Sequence, residues 1–531
     1  MNAIHYQRIK RTVATVVLLA CTLAFTDIGH WMSAPLARAV LWFQFTPSLL
    51  ATLQGAVWIS GGFVLVILLT LLFGRVYCAM LCPLGILMDL AAKLAKRTGR
   101  KRKLPYQKGH PWLRATTIAL AVAGLLMGTA LPLGFLDPYS VFGKMISATL
   151  RPMLGAWNHA ISATHWIHPV DISPVSWTMA GVAAGLMVII VILSIRHGRL
   201  WCNSICPVGA VLGFFSKHAL FRLNIAKSAC VGCSMCERVC PAQCIDFKNH
   251  AIDHSRCVMC LDCVTSCRKN GISLRMSWGV KPPPVPNTPA AVQAVGTGMP
   301  NLKRRTFLAS TLALPAIAWA KGSHERHRGG GGHGKACRGG LNQFNKQAVL
   351  PPGAISLAHF QSHCTACQLC VTHCPDQVLR PSISQHGLRG FLQPFQDFET
   401  SFCSYNCSNC SQICPTGAIQ PLTVAQRKTV RTGVAEFFRG RCVVKTEGTS
   451  CGACSEHCPT QAVHMVKWKN GLTIPEVDPD QCIGCGGCEF ICPVRPHKAI
   501  IVNGLGIHGQ AKAVVLGNQN TVRKMEEEFP F

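Results

Sequence analysis

The sequence predicts a membrane α-helical bundle of four transmembrane helices followed by two small, cysteine-rich α+β domains. Three observations predict this. Hydrophobic residues make up 49% of the 531, and the mean hydropathy is +0.27, too apolar for a simple soluble chain. Four apolar stretches, roughly 12–29, 55–74, 115–135 and 177–195, each approach the length a helix needs to cross a hydrocarbon core. Behind them, six runs of four cysteines hold most of the 31 in the chain. The formal charge of +30 raises the question of nucleic acid, but much of the excess lies where membrane topology uses it, so no nucleic-acid partner is expected.

Residues 1–215 read as the membrane domain. Its loops alternate in charge: Arg8, Lys10 and Arg11 precede the first stretch, and 75–114 holds ten Lys and Arg, including Lys96, Arg97, Arg100, Lys101, Arg102 and Lys103. The other loops carry only Arg38, then Lys144 and Arg151. By the positive-inside rule both ends of the bundle face the cytoplasm. Leu18-Leu19-Ala20-Cys21 resembles a lipoprotein cleavage box, but cleavage there would remove one span, and an uncleaved helix is expected.

At the inner ends of the second and fourth stretches stand Cys78-Ala-Met-Leu-Cys82-Pro83-Leu-Gly85 and Cys202-Asn-Ser-Ile-Cys206-Pro207-Val-Gly209. The two copies supply four thiolates on one membrane face. Cys78, Cys82, Cys202 and Cys206 could share a cluster, form a redox-active thiol site, or be buried small residues.

Residues 216–280 carry Cys230, Cys233, Cys236 and Cys240, then Cys257, Cys260, Cys263 and Cys267. The first run ends Cys240-Pro241, giving the C-x-x-C-x-x-C-x-x-x-C-P spacing of bacterial-type ferredoxins, in which three thiolates hold one [4Fe–4S] cube and the fourth serves its neighbour. A zinc ribbon would need only four ligands in all, and a disulfide scaffold would be a short secreted chain. The usual crossover assigns Cys230, Cys233, Cys236 and Cys267 to one cluster and Cys257, Cys260, Cys263 and Cys240 to the other. Cys244 is surplus and is expected to be a small packed residue.

Four spans, paired C-x-x-x-C-P-[LV]-G motifs and a two-cluster ferredoxin resemble the membrane quinol dehydrogenase subunit of the periplasmic nitrate reductase system (NapH type), over about residues 1–275. The resemblance implies oxidation of menaquinol or ubiquinol and delivery of electrons towards a periplasmic reductase.

Residues 281–345 begin with a stiff Pro-rich run, Lys281-Pro-Pro-Pro-Val-Pro, and continue with Arg304-Arg305-Thr-Phe307-Leu308. This matches the twin-arginine pattern R-R-x-F-L, and the uncharged stretch 306–320 ends in Ala318-Trp319-Ala320, an A-x-A cleavage signature. A short fifth anchor is the competing reading. Residues 323–340, rich in Gly with His324, His327, His333 and Cys337, read as a flexible linker. Because clusters are inserted in the cytoplasm, a cluster domain working outside must cross already folded, so 346–531 is expected in the periplasm of a bacterial inner-membrane protein.

That domain carries four more runs: Cys364, Cys367, Cys370 and Cys374; Cys403, Cys407, Cys410 and Cys414; Cys442, Cys451, Cys454 and Cys458; and Cys482, Cys485, Cys488 and Cys492. Each fourth cysteine precedes a proline, Pro375, Pro415, Pro459 or Pro493. The second run opens with C-x-x-x-C and the third separates Cys442 from Cys451 by eight residues, which makes that site the weakest; the order of pairing is open. Residues 350–505 resemble the periplasmic polyferredoxin partner (NapG or NapF type). About six [4Fe–4S] clusters are expected, and a seventh if the C-x-x-x-C-P pairs hold one.

The sequence thus suggests a fusion of quinol dehydrogenase and polyferredoxin, passing electrons to a periplasmic reductase or electron-carrier protein. A cupric reductase of oxidase assembly and a non-catalytic relay subunit are the alternatives. Asp137, His159, His165, His168, His110 and Asp89 are proton-acceptor candidates for a quinol, and none is assigned as catalytic.

Overall fold

The described part of the first 216 residues folds chiefly as helices, in which backbone donors and acceptors satisfy one another along the axis. The structure, a computed structural model, describes residues 3–276 apart from 28, 30–31, 54–56, 98–104, 163–169, 171 and 173–174, together with residues 347–512. The chain divides into one unit of 1–278 with 341–531 and another of 279–340; the second lies outside the described residues, as do the Pro-rich run, Arg304-Arg305, Ala320, the Gly/His-rich stretch, His165 and His168.

The bundle contains α1 (Ala3–Thr26), α2 (Ala34–Trp42), α3 (Phe45–Leu53), α4 (Val57–Phe73), α5 (Tyr77–Met80), α6 (Pro83–Arg97), α7 (Pro111–Leu126), α8 (Leu131–Leu136), α9 (Pro138–Ser162), α10 (Trp177–His197) and α11 (Pro207–Ser216). Boundaries follow local chemistry. Pro83, Pro111, Pro138 and Pro207 occupy first helical positions, the Ser176 hydroxyl accepts from the Met179 amide at the start of α10, and Gly198 at φ +64° ends that helix.

Among the described residues, two helices are long and apolar enough to cross a membrane, Ile4–Thr26 and Trp177–His197. The second and third expected spans are apolar but shorter, Gly61–Phe73 and Pro111–Leu126. The third stretch stops early because Gly128, at φ +72°, turns the chain before Pro132. All four helices nevertheless turn large apolar side chains outward: Val16, Leu19 and Leu23 on α1; Val64, Leu68 and Leu72 on α4; Leu120 and Leu126 on α7; Val188, Ile189 and Ile192 on α10. Water would penalise such stripes, and lipid would not.

Residues 221–276 fold as two interleaved halves. β1 (Phe221–Ile225) pairs antiparallel with β4 (Ile272–Met276), and β2 (Ile245–Asp246) with β3 (Ala251–Ile252). The short helices Met235–Val239 and Asp262–Ser266 pack between them. In the C-terminal region β5 (Leu379–Pro381) pairs with β6 (Pro394–Gln396), β8 (Val463–Lys467) with β9 (Thr473–Val477), and β7 (Val430–Phe437) with the long β10 (Ile500–Gln510), all antiparallel. This region repeats the plan once in full, with β8 and β9 inside β7 and β10, and adds a further inner pair, β5 and β6.

The two cysteine-rich regions meet α1 at opposite ends. Near its start, the Tyr6 hydroxyl donates to the Met259 carbonyl at 3.0 Å and Lys10 to the Cys260 carbonyl at 3.2 Å. Near its end, the His373 ring donates to the Ala24 carbonyl at 2.7 Å. Eighteen residues of helix separate Tyr6 from Ala24, about 27 Å along the axis. Around that second contact, Lys144 donates to the Thr365 carbonyl at 3.2 Å, Arg151 to the Thr372 carbonyl at 3.0 Å, and the Ala130 amide to the Gln361 carbonyl at 2.9 Å. Gly143 lies so close to the Cys367 carbonyl and the Phe25 ring that any Cβ there would collide with both.

Candidate functional site

The cysteine runs wrap because of an unusual local backbone. In Cys230–Cys236, Cys257–Cys263, Cys364–Cys370 and Cys482–Cys488, the residues on both sides of the middle cysteine are left-handed: Gly232 and Ser234, Met259 and Leu261, Ala366 and Gln368, Gly484 and Gly486. A left-handed backbone costs a non-glycine residue about 1–2 kcal/mol, so it persists only where something compensates it. Such turns aim successive amide groups into one hollow, which suits an anionic cluster. A further left-handed residue follows the fourth cysteine by three positions, at Gln243, Asn270, Gln377, Gly417 and Gln461, and carries the chain onward after the ligand. The two irregular runs lack the paired turns. There, Gly448 at φ +67° bends the long insertion back so that Cys442 joins Cys451 and Cys454.

Cys230, Cys233, Cys236 and Cys267 line one apolar cavity of about 200 Å³, closed by Ile225, Phe247 and Ile272. Cys240 stands with Cys257, Cys260 and Cys263, as the crossover requires. In the C-terminal region the pairing left open by the sequence is between adjacent runs. Cys364, Cys367 and Cys370 gather with Cys414, and Cys403, Cys407 and Cys410 with Cys374. Cys442, Cys451 and Cys454 line a hollow with Cys492, while Cys482, Cys485 and Cys488 gather with Cys458.

Among the described residues no cysteine is in a disulfide, and no three His, Cys, Asp or Glu converge tightly enough for a single metal ion. Four sulfurs around a wider hollow suit a cube, whose thiolates would complete its irons. Burial and then Cys451 push the Cys454 thiol up to about 12, and burial and then Cys482 do the same to Cys485. Four neutral thiols so placed hold a cluster only by releasing protons.

The sites also run in sequence. Cys236 is among the charges that raise Cys263, Cys410 among those that raise Cys370, Cys403 among those that raise Cys485, and Cys454 among those that raise Cys488. The Cys403 amide also donates to the Cys485 carbonyl at 2.9 Å, and the turns bearing Cys410 and Cys454 pack on those bearing Cys370 and Cys488, so the C-terminal sites neighbour one another in the order Cys364, Cys403, Cys482 and Cys442. The first abuts the bundle, with Cys367, Leu369 and Ile413 packed in the core of Phe25, Tyr139 and Phe142.

Cys78, Cys82, Cys202 and Cys206 are all buried in that same core and close enough to act electrostatically on one another. Motif spacing missed their companions Arg75 and Arg199, each three residues ahead of its first cysteine. The full repeat is Gly-Arg-x-[Tyr/Trp]-Cys-x-x-x-Cys-Pro-x-Gly, at 74–85 and 198–209, and the longer pattern was present to be read. Cys244 is packed as expected, but its sulfur lies 3.6 Å from Cys240, and this contact holds the Cys240 thiol down at about 7. Of the proton-acceptor candidates, Asp89 is engaged by Arg199 at 2.6 Å, and Asp137 accepts from Thr46 and from the amide and hydroxyl of Ser140.

Together these sites define an iron–sulfur electron-transfer protein of ferredoxin type. The profile of the 4Fe-4S binding domain matches residues 55–103, 179–227 and 410–429, and that of the 4Fe-4S dicluster domain matches 449–495. The chain belongs to the family of the methylamine utilization ferredoxin-type protein MauM. It is 35% identical to MauM of Methylobacillus flagellatus over 177 residues, 31% of this chain and 74% of that protein. It is 28% identical to the ferredoxin-type protein NapF of Escherichia coli over 151 residues, 28% of this chain and 84% of NapF. An uncharacterized protein of Methanocaldococcus jannaschii is 27% identical over 210 residues, 40% of this chain and 68% of that protein. No solved structure matches.

Proposed function

We propose that the chain is a membrane quinol dehydrogenase fused to its own polyferredoxin, carrying electrons from menaquinol or ubiquinol through [4Fe–4S] clusters to a periplasmic reductase or electron-carrier protein. One observation carries the reading: two cluster-bearing regions contact a single apolar helix about 27 Å apart, close to the roughly 30 Å of a hydrocarbon core. The outward apolar stripes on α1, α4, α7 and α10 favour four helices in lipid, with residues 221–276 on the cytoplasmic side and 347–512 on the other. The name of NapF, a ferredoxin-type protein, agrees with a polyferredoxin half. The twin-arginine pattern supplies a means for that half to cross folded.

The chain's part is to hold the clusters in line, exclude water by burial, and donate hydrogen bonds to sulfur. The test is detergent-purified full chain mixed anaerobically with a menaquinol analogue and followed by EPR of the clusters. Reduction of the clusters is expected. Reduction of Cu(II) without cluster reduction by quinol would replace this reading with that of a metal reductase.

A further inference from the structure

We propose that Cys78, Cys82, Cys202 and Cys206 jointly hold one [4Fe–4S] cluster inside the bundle, shared between the two halves of an internal repeat. The family match covers each half separately; the geometry joins them. The two repeats cross over each other. Arg75 of the first donates to the Cys202 carbonyl at 2.9 Å, and Arg199 of the second donates to the Cys78 carbonyl at 2.5 Å. Cys82 and Cys206 occupy equivalent positions just ahead of α6 and α11. The Gly85 and Gly209 amides donate to their sulfurs at 3.4 and 3.3 Å. Both glycines are enforced, since a Cβ at either would strike the carbonyl of Cys78 or of Cys202.

Charge distinguishes a cluster from idle thiols. Arg199 is neutralised by Asp89. Arg75 is fully buried and, among the described residues, meets no carboxylate: it donates to Asn203 Oδ1 at 2.8 Å, to the Ser255 carbonyl at 3.2 Å and to Cys78 Sγ at 3.6 Å, and its Nε has no partner there. A buried cation facing only neutral groups is strongly disfavoured. A cluster with four thiolates carries about −2 and supplies the missing counter-charge. Three of the four sulfurs already receive a donor, as ligated sulfurs do.

The position suits a link in the chain of sites. Arg199 N donates to the Pro241 carbonyl at 3.0 Å, directly after Cys240, and Asn203 donates to the Ala242 carbonyl at 3.1 Å. The neighbouring ferredoxin site therefore touches this one through backbone.

The proposal is independent of the quinol reading, because its test counts iron. Full-length protein purified anaerobically in detergent is expected to hold about 28 iron atoms per chain, four for each of seven cubes. Cys206→Ala is expected to lose about four of them and one cluster signal, while Cys21→Ala, equally buried but outside the repeat, loses none. Wild type at about 24 iron atoms, or Cys206→Ala with iron unchanged, would overturn the proposal, as would about one equivalent of zinc or copper at the four thiols. Should Cys206→Ala fail to accumulate, Arg75→Gln decides, since it leaves every thiol in place. A cluster other than that of the Cys257 site falls in midpoint potential if the site is loaded; if it is not, the only potential that moves is that of the Cys257 site, whose run Arg75 also reaches through the Ser255 carbonyl.

Discussion

Arg427 shows how much one side chain can contribute between clusters. It is fully buried, its Nη2 donates to Cys403 Sγ at 3.2 Å, and its Nε and Nη1 have no partner. Cys403 and Cys485, from successive sites, are the charges that most favour its protonated form against burial. A fixed cation stabilises the reduced, more negative cluster, so Arg427→Gln should lower the midpoint potential of the Cys403 or Cys482 site without loss of iron; potentiometric EPR reads both quantities. Next to it, burial and then Arg427 push the His508 imidazole down to about 4 from its ordinary 6.5. Below pH 6.5 the unfolded chain takes up a proton that the folded chain refuses, so stability is lost as pH falls from 6.5 towards 4. His508→Gln should flatten the fall of Tm over that window in a thermal melt of the whole protein. Neither residue was legible in the sequence. Arg427 stands 24 positions from the cysteine it touches, and no spacing rule reaches that far.

At the scale of elements, the cysteine runs were legible because a run is its own structure: three ligands within seven residues, with turns that local backbone preference dictates. The irregular third run was the weakest expectation, and Gly448 explains how it closes. A β-branched residue cannot adopt φ +67° without strain, so Gly448→Val should draw Cys442 away and cost about four iron atoms, leaving the other sites loaded. Metal analysis of the variant checks this, and an unchanged iron content would mean that the insertion does not position Cys442. The apolar stretches were legible as helices, but only two of the four expected spans, Ile4–Thr26 and Trp177–His197, reach spanning length among the described residues. Hydropathy predicted a third span to residue 135, whereas Gly128 and Pro132 stop it at Leu126, because backbone geometry outranks apolarity where the two conflict. The cross-bracing of the C-x-x-x-C-P repeats was hidden for a different reason. It joins residues more than 120 positions apart, and only the shared Gly-Arg-x-aromatic prefix hinted at it.

For the whole molecule the decisive contact is the one that brings the Cys364 site against the bundle. Backbone groups of 361–373 accept from Ala130, Lys144 and Arg151, and the Cys367 loop rests on Gly143. On the proposed route this is the first C-terminal site that electrons reach from the bundle, so a cluster displaced here lengthens the path to the remaining three. Gly143→Val puts a branched side chain where no Cβ fits, between the Cys367 carbonyl and the Phe25 ring. The C-terminal sites carry their own ligands and their own core, so they should remain loaded and be reduced normally by dithionite. Under a menaquinol analogue the same variant should reduce its N-terminal sites at the wild-type rate, while reduction of the C-terminal sites slows at least tenfold, because tunnelling falls steeply with any added gap. Stopped-flow absorbance resolved by freeze-quench EPR separates the two populations. Equal slowing of both would mean that the substitution damages the bundle itself, and no slowing of either would mean that electrons reach the C-terminal sites by another path.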